Sequence, residues 1–377
     1  MQPVYITRLS KFLPNDVVTN DEMESFLGLV NGKPSRARSL VLRNNGIKQR
    51  YYALKDGIKT HSNAGMAALA VKALFDEEQT LESLELLATG TTSPEQILPS
   101  HSSMVHGMLG VGNIEIMAAT GSCCSSMAAL KYAYMAIACG TKKVAAVSGS
   151  ELFSAFMKSS QFQPEADTWQ NIDSNPYLAF EKDFLRWMLS DGASAALLQD
   201  KPNNNSISLK IEWIEITSFA NELETCMYAG AVKNEDGTLE GWKDMDSKEW
   251  NEQSVFSIKQ DTRLLGENII KKGGEFMETL VKKYNLSPEV VNYYLPHMSS
   301  EFFKKEMETH MARVGLAIPS SEWFYNLTRV GNVGSASPFL MLEELFHSGR
   351  LKKGEKLLVM VPESARFTYA YIYLTVV

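Results

Sequence analysis

The chain has 377 residues, enough for two or three domains, and its 45% hydrophobic and 21% charged residues suit a soluble globular protein with a large core. A formal net charge of −7 argues against a broad nucleic-acid surface. Four cysteines in this length make no disulfide framework, and the absence of a CxxC pair or HExxH motif leaves no metal site to expect.

The chain begins directly with a strand, Val4 to Thr7, without a basic and then apolar leader, and no apolar run approaches the ~18 residues of a membrane span. A cytoplasmic protein is therefore expected. Asn20-Asp21-Glu22 looks like a cap and first helical turn, and Ser35 to Arg50 is rich in Arg and Lys. Ser62 to Asp76 is an Ala-rich helix suited to close packing, and Leu84 to Thr89 is a strand that runs into a loop holding Pro94 and Pro99. A helix over Ser102 to Leu109 and a strand over Asn113 to Met117 follow.

Ala118 to Met127 then carries two adjacent cysteines, Cys123 and Cys124, where the strand turns into a small, mostly apolar helix ending at Gly140. Unpaired N–H groups and the helix dipole favour a thiolate at such a turn. Free cysteine is also among the most buried residue types, so the local sequence supports packing and chemistry equally.

Val144 to Gly149 is a strand. Ser154 to Ser190, long and aromatic, fits interface or core packing somewhat better than a lid. Asp191-Gly192 suits a tight turn before the buried strand Ala193 to Leu198, and Lys201 to Asn205 is the clearest linker. Ile207 to Ile216 is a strand, Ser218 to Glu249 is irregular and acidic, and Asn251 to Lys283 is largely helical. Val291 to His297 is a strand ending in a histidine, Ser299 to Val314 a helix, and Trp323 to Leu327 a strand. Gly331 to Ser337 opens a helix to His347, and Lys356 to Pro362 and Thr368 to Val376 are the last strands. Strands alternating with helices imply an α/β protein with helix-covered sheets, and both halves follow a similar βα layout without a visible residue repeat.

One cysteine of the pair, His297 and Asn332 all follow strands, where α/β proteins build their sites. A thiolate can take an acyl group while His and Asn donate hydrogen bonds to the oxygen that gains charge. Taken singly, a histidine after proline and a Gly-Asn-Val-Gly turn are ordinary structural features.

The chain resembles condensing enzymes of the β-ketoacyl-acyl-carrier-protein synthase III type, in the thiolase superfamily. The residues carrying the resemblance are Gly46 to Arg50, Leu98-Pro99-Ser100, Met108-Leu109-Gly110, Ser190 to Ala196, Leu295-Pro296-His297 and Gly331-Asn332. Counting back without gaps from Gly140 and from Gly149-Ser150-Glu151, as the family spacing requires, selects Cys123 over Cys124 as nucleophile. The resemblance implies a five-layered αβαβα fold of two pseudo-symmetric halves, residues 1–200 with the nucleophile and 206–377 with His297 and Asn332. It also implies a homodimer and a Claisen condensation between an acyl group on Cys123 and a second thioester. No cofactor beyond thioester substrates on carrier protein or coenzyme A is implied.

Three departures stand out. The family's glycine-rich oxyanion loop is here Pro362 to Phe367, where the backbone N–H of Ala365 is the remaining candidate donor. The family's coenzyme A-holding Trp and Arg align near Leu40 and Asn44, which leaves Arg43 either as a substitute or, more simply, as a solvated arginine, and favours carrier-protein thioesters. The carrier-protein arginine after the histidine is missing, and Lys304 and Lys305 lie one turn on, suited to an acidic carrier protein or to a solvated helix face. Gly-Ser-Cys-Cys-Ser-Ser is similar to polyketide-like secondary-metabolite members that make dialkylresorcinol or cyclohexanedione precursors. The rival readings are an acyltransferase to an alcohol or amine, a thioesterase, and a non-catalytic partner subunit of a condensing heterodimer.

Overall fold

The computed structural model describes residues 1–35, 37–162 and 184–377. Most of the aromatic stretch from Ser154 to Ser190 therefore lies outside the described residues. Among the described residues, nine strands form the main sheet: β1 (Tyr5–Phe12), β2 (Leu86–Thr91), β3 (Glu115–Thr120), β4 (Val144–Glu151), β5 (Gly192–Gln199), β6 (Leu209–Ser218), β7 (Tyr293–Pro296), β8 (Lys356–Glu363) and β9 (Thr368–Val376). Their order is β7-β8-β9-β6-β1-β5-β4-β2-β3. Only two register pairs, Tyr5 with Lys210 and Ile6 with Leu209, join β1 to β6, so the sheet divides naturally there.

On either side of that seam the topology repeats. In β3-β2-β4-β5-β1, the first three strands are parallel and the joins of β4 to β5 and β5 to β1 are antiparallel. In β7-β8-β9-β6, a parallel join of β7 to β8 is likewise followed by two antiparallel joins. The counterpart of β3 is reduced to one backbone hydrogen bond, from the Phe324 N–H to the Tyr294 carbonyl at 2.9 Å. The strand expected over Trp323 to Leu327 therefore does not form, and Leu327–Val330 is a short helix instead.

Among the described residues, six helices cover the sheets: α1 (Asn63–Lys72), α2 (His101–Leu109), α3 (Ser125–Ala138), α4 (Thr262–Tyr284), α5 (Lys304–Arg313) and α6 (Ser337–Phe346). Side-chain oxygens of Ser62, Ser100 and Asp261 cap α1, α2 and α4 by accepting from N–H groups in the first turn. Strand alternation sorts most of the apolar residues into three large cores. Leu87, Ala146 and Leu197 pack with Ala67, Val71 and Val105 of α1 and α2 on one outer face. Leu86, Ala88, Val147, Val359 and Ile372 face a central core with Met127, Leu130 and Ala133 of α3 and Phe339 and Leu342 of α6. Leu358, Met360, Tyr369 and Tyr371 turn outward onto Ile269 and Met277 of α4 and Met307 of α5. The layers are therefore helices, sheet, helices, sheet, helices, which is the five-layered αβαβα arrangement. Both faces of most strands are buried, and this is why the sequence shows them as near-continuous apolar runs.

Close approach of the central helices depends on two glycines. A Cβ on Gly90 of β2 would lie 2.2 Å from the Ser126 nitrogen, and one on Gly149 of β4 would lie 2.2 Å from the Ser335 carbonyl oxygen. Asp191 is not the simple turn residue that its Asp-Gly sequence suggests. It is fully buried, accepts from the Ala53 and Ser154 N–H groups at 2.7 and 2.8 Å and from the Ser154 hydroxyl, and ties three segments together. Leaving water pushes its carboxyl up to about 6 against those hydrogen bonds.

Candidate active site

Cys123, His297 and Asn332 line one small cavity of about 40 Å³. Each arrives by a different element. Cys123 sits in the turn between β3 and α3, His297 directly follows β7, and Asn332 opens the turn before α6. Because α3 and α6 share the central layer, the two halves deliver these residues to a common point.

The two cysteines are now distinguishable. Cys123 is half-buried and faces the cavity, with the Ser122 hydroxyl 3.8 Å from its sulfur. Cys124 is buried in the central core, where its thiol meets the Val361 carbonyl at 3.3 Å. Burial, reinforced by the nearby Glu363 carboxylate, pushes the Cys123 thiol up to about 12. The Cys123 N–H lies against its own sulfur and bonds no carbonyl of another residue among the described ones, which leaves it facing the place of an incoming oxygen.

His297 is held by its own N–H, which donates to the Met360 carbonyl at 2.8 Å. Its ring is 4% exposed, and desolvation lowers it to about 4, so the imidazole is neutral near pH 7. Asn332 is fixed on three sides. Its N–H donates to the Met188 carbonyl at 2.9 Å, its carbonyl accepts from the Ser190 N–H at 2.9 Å, and its Oδ1 accepts from the Gly334 N–H at 2.9 Å. The side-chain amide NH2 is thereby left as a donor. A neutral imidazole and an amide beside a cysteine can hold negative charge on an oxygen without supplying a fixed ion.

Residues outside these three hold the turn of Asn332 against α3, the helix that follows Cys123. The Ser126 hydroxyl at the start of α3 donates to the Ser335 carbonyl at 2.6 Å, and the Ser194 hydroxyl of β5 donates to the Ala336 carbonyl at 2.7 Å. Glu151, fully buried at the end of β4, accepts from the Thr92 and Ser93 hydroxyls at 2.8 and 2.7 Å and from Ser335. Sequence reasoning used Glu151 only to count spacing, and gave Glu363 no role. A buried acid cannot be told from a solvated one until its donors are placed.

The other expected binding residues lie elsewhere. Arg43 and Lys305 are exposed and do not line the cavity. Lys304 donates to the Tyr325 hydroxyl at 3.1 Å and stacks over that ring, 5.0 Å from its centre. Ala365 is not on the cavity. Its carbonyl accepts from the Cys226 and Met227 N–H groups, while Pro362 and Ser364 face the site. The acidic stretch after Ser218 supplies part of the wall through Met227, and Ile258 and Gln260 continue it with Leu265 and Ile269 of α4.

Residues 281–370 match the family model described as 3-oxoacyl-[acyl-carrier-protein] synthase III, C terminal. A β-ketoacyl-[acyl-carrier-protein] synthase III from Clostridium acetobutylicum is 24% identical over 369 residues, covering 96% of this chain and 95% of the relative. The enzyme of that name from Aquifex aeolicus is 24% identical over 349 residues, 92% of each chain. Among solved structures, the tetronic acid condensing enzyme AbyA1 superposes with a TM-score of 0.74 at 18% identity, covering 99% of both chains. Xanthomonas campestris OleA with bound lauric acid and lauroyl-CoA gives 0.74 at 18% identity over 99% of both, and these likenesses establish a shared thiolase-like fold. The chain is thus similar over nearly its whole length to β-ketoacyl-[acyl-carrier-protein] synthase III enzymes, matches their C-terminal family model over residues 281–370, and shares their thiolase-like fold.

Proposed function

We propose that this protein is a condensing acyltransferase that forms a carbon–carbon bond between a Cys123-bound acyl group and a second acyl thioester. The convergence of Cys123, His297 and Asn332 on one cavity carries this reading. In the first step Cys123 Sγ attacks the donor thioester carbonyl, the bond to the donor's thiol breaks, and the cysteine proton leaves with that thiol. The Cys123 N–H stabilises the oxyanion in place of the altered glycine loop. The second thioester then becomes an enolate by losing an α-proton or carbon dioxide. Neutral His297 and the Asn332 amide donate to its oxygen, and its α-carbon attacks the acyl-enzyme, releasing Cys123.

The substrates are carrier-protein thioesters in this reading, since Leu40 and Asn44 stand where the coenzyme A clamp would be, and exposed Arg43 and Lys305 offer positive charge to an acidic partner. The product belongs to fatty-acid-derived secondary metabolism of the dialkylresorcinol or cyclohexanedione kind, a reading supported by the Gly-Ser-Cys-Cys-Ser-Ser resemblance. A homodimer fits the outer edge of β3, which pairs with no strand among the described residues, with Ile116 exposed along it and Ile97 and Leu98 exposed in the loop after β2. Product analysis tests the reaction. Paired β-ketoacyl and enoyl thioesters, run beside malonyl donors, should give a condensed product; free acid alone would mean hydrolysis instead.

A further inference from the structure

The segment that replaces the glycine loop places a carboxylate at the root of the nucleophile turn. One oxygen of Glu363 accepts from the Ser122 N–H at 3.1 Å and from the Cys124 N–H at 3.0 Å, the two amides that flank Cys123. Strand alternation explains the aim: Pro362 and Ser364 face the cavity, and Glu363 between them points to the start of α3. The carboxylate is 8% exposed and lies outside the cavity lining, so it is not placed to touch a substrate.

A free helix N-terminus stabilises an anion through its unpaired amides and its dipole, and at many reactive cysteines that anion is the thiolate. Here Glu363 already occupies those amides. We propose that Glu363 is a positioning residue that fixes the Cys123 turn and holds the resting nucleophile as a thiol. This rests on the reading of Cys123 as the nucleophile.

The charged and titratable groups around that sulfur agree. Glu363 of β8 and Glu151 of β4 both disfavour a second negative charge, Cys124 beside it is itself held protonated by burial, and neutral His297 supplies no compensating positive charge. The resting pair is a thiol and an imidazole in place of a thiolate and an imidazolium. Cys123 in this state resists alkylation and oxidation, and when it attacks a bound thioester its proton passes to the sulfur that departs as the donor's thiol.

The test is the pH dependence of iodoacetamide alkylation, resolved by peptide mapping so that exposed Cys139 serves as an internal reference. Wild-type Cys123 should alkylate with a midpoint above the ordinary thiol value of about 8.5. Glu363→Gln keeps an acceptor oxygen and the side-chain shape but removes the charge. It should lower the midpoint by about one unit or more, a rise of roughly tenfold in rate at a fixed pH below both midpoints. An unchanged midpoint in folded Glu363→Gln overturns the inference. If that variant does not fold, a wild-type midpoint at or below about 8.5 overturns it alone. A label on Cys124 in place of Cys123 would instead remove the nucleophile assignment beneath it.

Discussion

Glu151 and Ser335 are joined by two hydrogen bonds to one carboxylate oxygen, from the Ser335 N–H at 3.1 Å and from its hydroxyl at 2.7 Å. Through this contact the N-terminal half holds the turn that carries Asn332. Glu151→Ala would strip the acceptor from Ser335, Thr92 and Ser93 at once. An orphaned buried donor costs roughly 1–3 kcal/mol, so a loss of about 3 kcal/mol in urea unfolding is expected, together with reduced turnover.

Gly149 lies under the same turn. An alanine there would place its Cβ within 2.2 Å of the Ser335 carbonyl oxygen and 2.9 Å of the Ala336 Cα, so backbone must move. A displacement near 1 Å at a catalytic group costs about a hundredfold in rate. Gly149→Ala should therefore lower kcat by about that factor in protein whose far-ultraviolet circular dichroism still shows a native fold.

The depressed basicity of His297 makes stability depend on pH with a definite sign. Its folded pKa of about 4 lies below the 6.5 of an unfolded histidine, so between those values the unfolded chain binds the extra proton and stability falls as pH is lowered. From pH 7 to 5 this amounts to about 2 kcal/mol, at ~1.4 kcal/mol per unit. Buried His101, also held near 4, acts in the same direction, and Asp191, raised to about 6, acts in the opposite one. His297→Gln should leave those terms in place and shrink the loss between pH 7 and 5 by about 2 kcal/mol relative to wild type, measured by urea unfolding at both values. An unaltered difference would mean that the imidazole is solvated.

Asp191 gives a prediction that its Asp-Gly sequence does not suggest. Asp191→Ala leaves the Ala53 and Ser154 donors buried without their acceptor, and a destabilisation of about 2–4 kcal/mol is expected by thermal or urea unfolding. A change below about 0.5 kcal/mol, typical of a surface turn, would contradict the buried arrangement.

The nine main strands were legible in the sequence because they are apolar or partly alternating runs bounded by turn residues, and α1 announces itself by Ser62, whereas the caps Ser100 of α2 and Asp261 of α4 were missed by starts placed at Ser102 and Asn251. Trp323 to Leu327 misled because its aromatic side chains mimic a strand, whereas its backbone makes one bond to Tyr294 and then enters a helix. The expected helix from Asn251 begins only at Thr262, after a short helix over Ser247–Glu252 and a strand pair at Lys259–Gln260. One cysteine of the pair, His297 and Asn332 were read as residues that follow strands, family spacing chose Cys123, and the strand expected before Asn332 does not form. Their meeting depends on long-range packing of α3 against α6, which no local pattern encodes. Glu151, Glu363 and Asp191 were invisible as site supports for a related reason: the donors that hold them lie far away along the chain.

The most direct test of the account is the intact mass of the protein after incubation with acyl-carrier-protein or acyl-coenzyme A donors. Wild type and Cys124→Ala should each gain one acyl group, and Cys123→Ala should gain none. An acyl label that persists in Cys123→Ala and vanishes in Cys124→Ala would contradict the central claim.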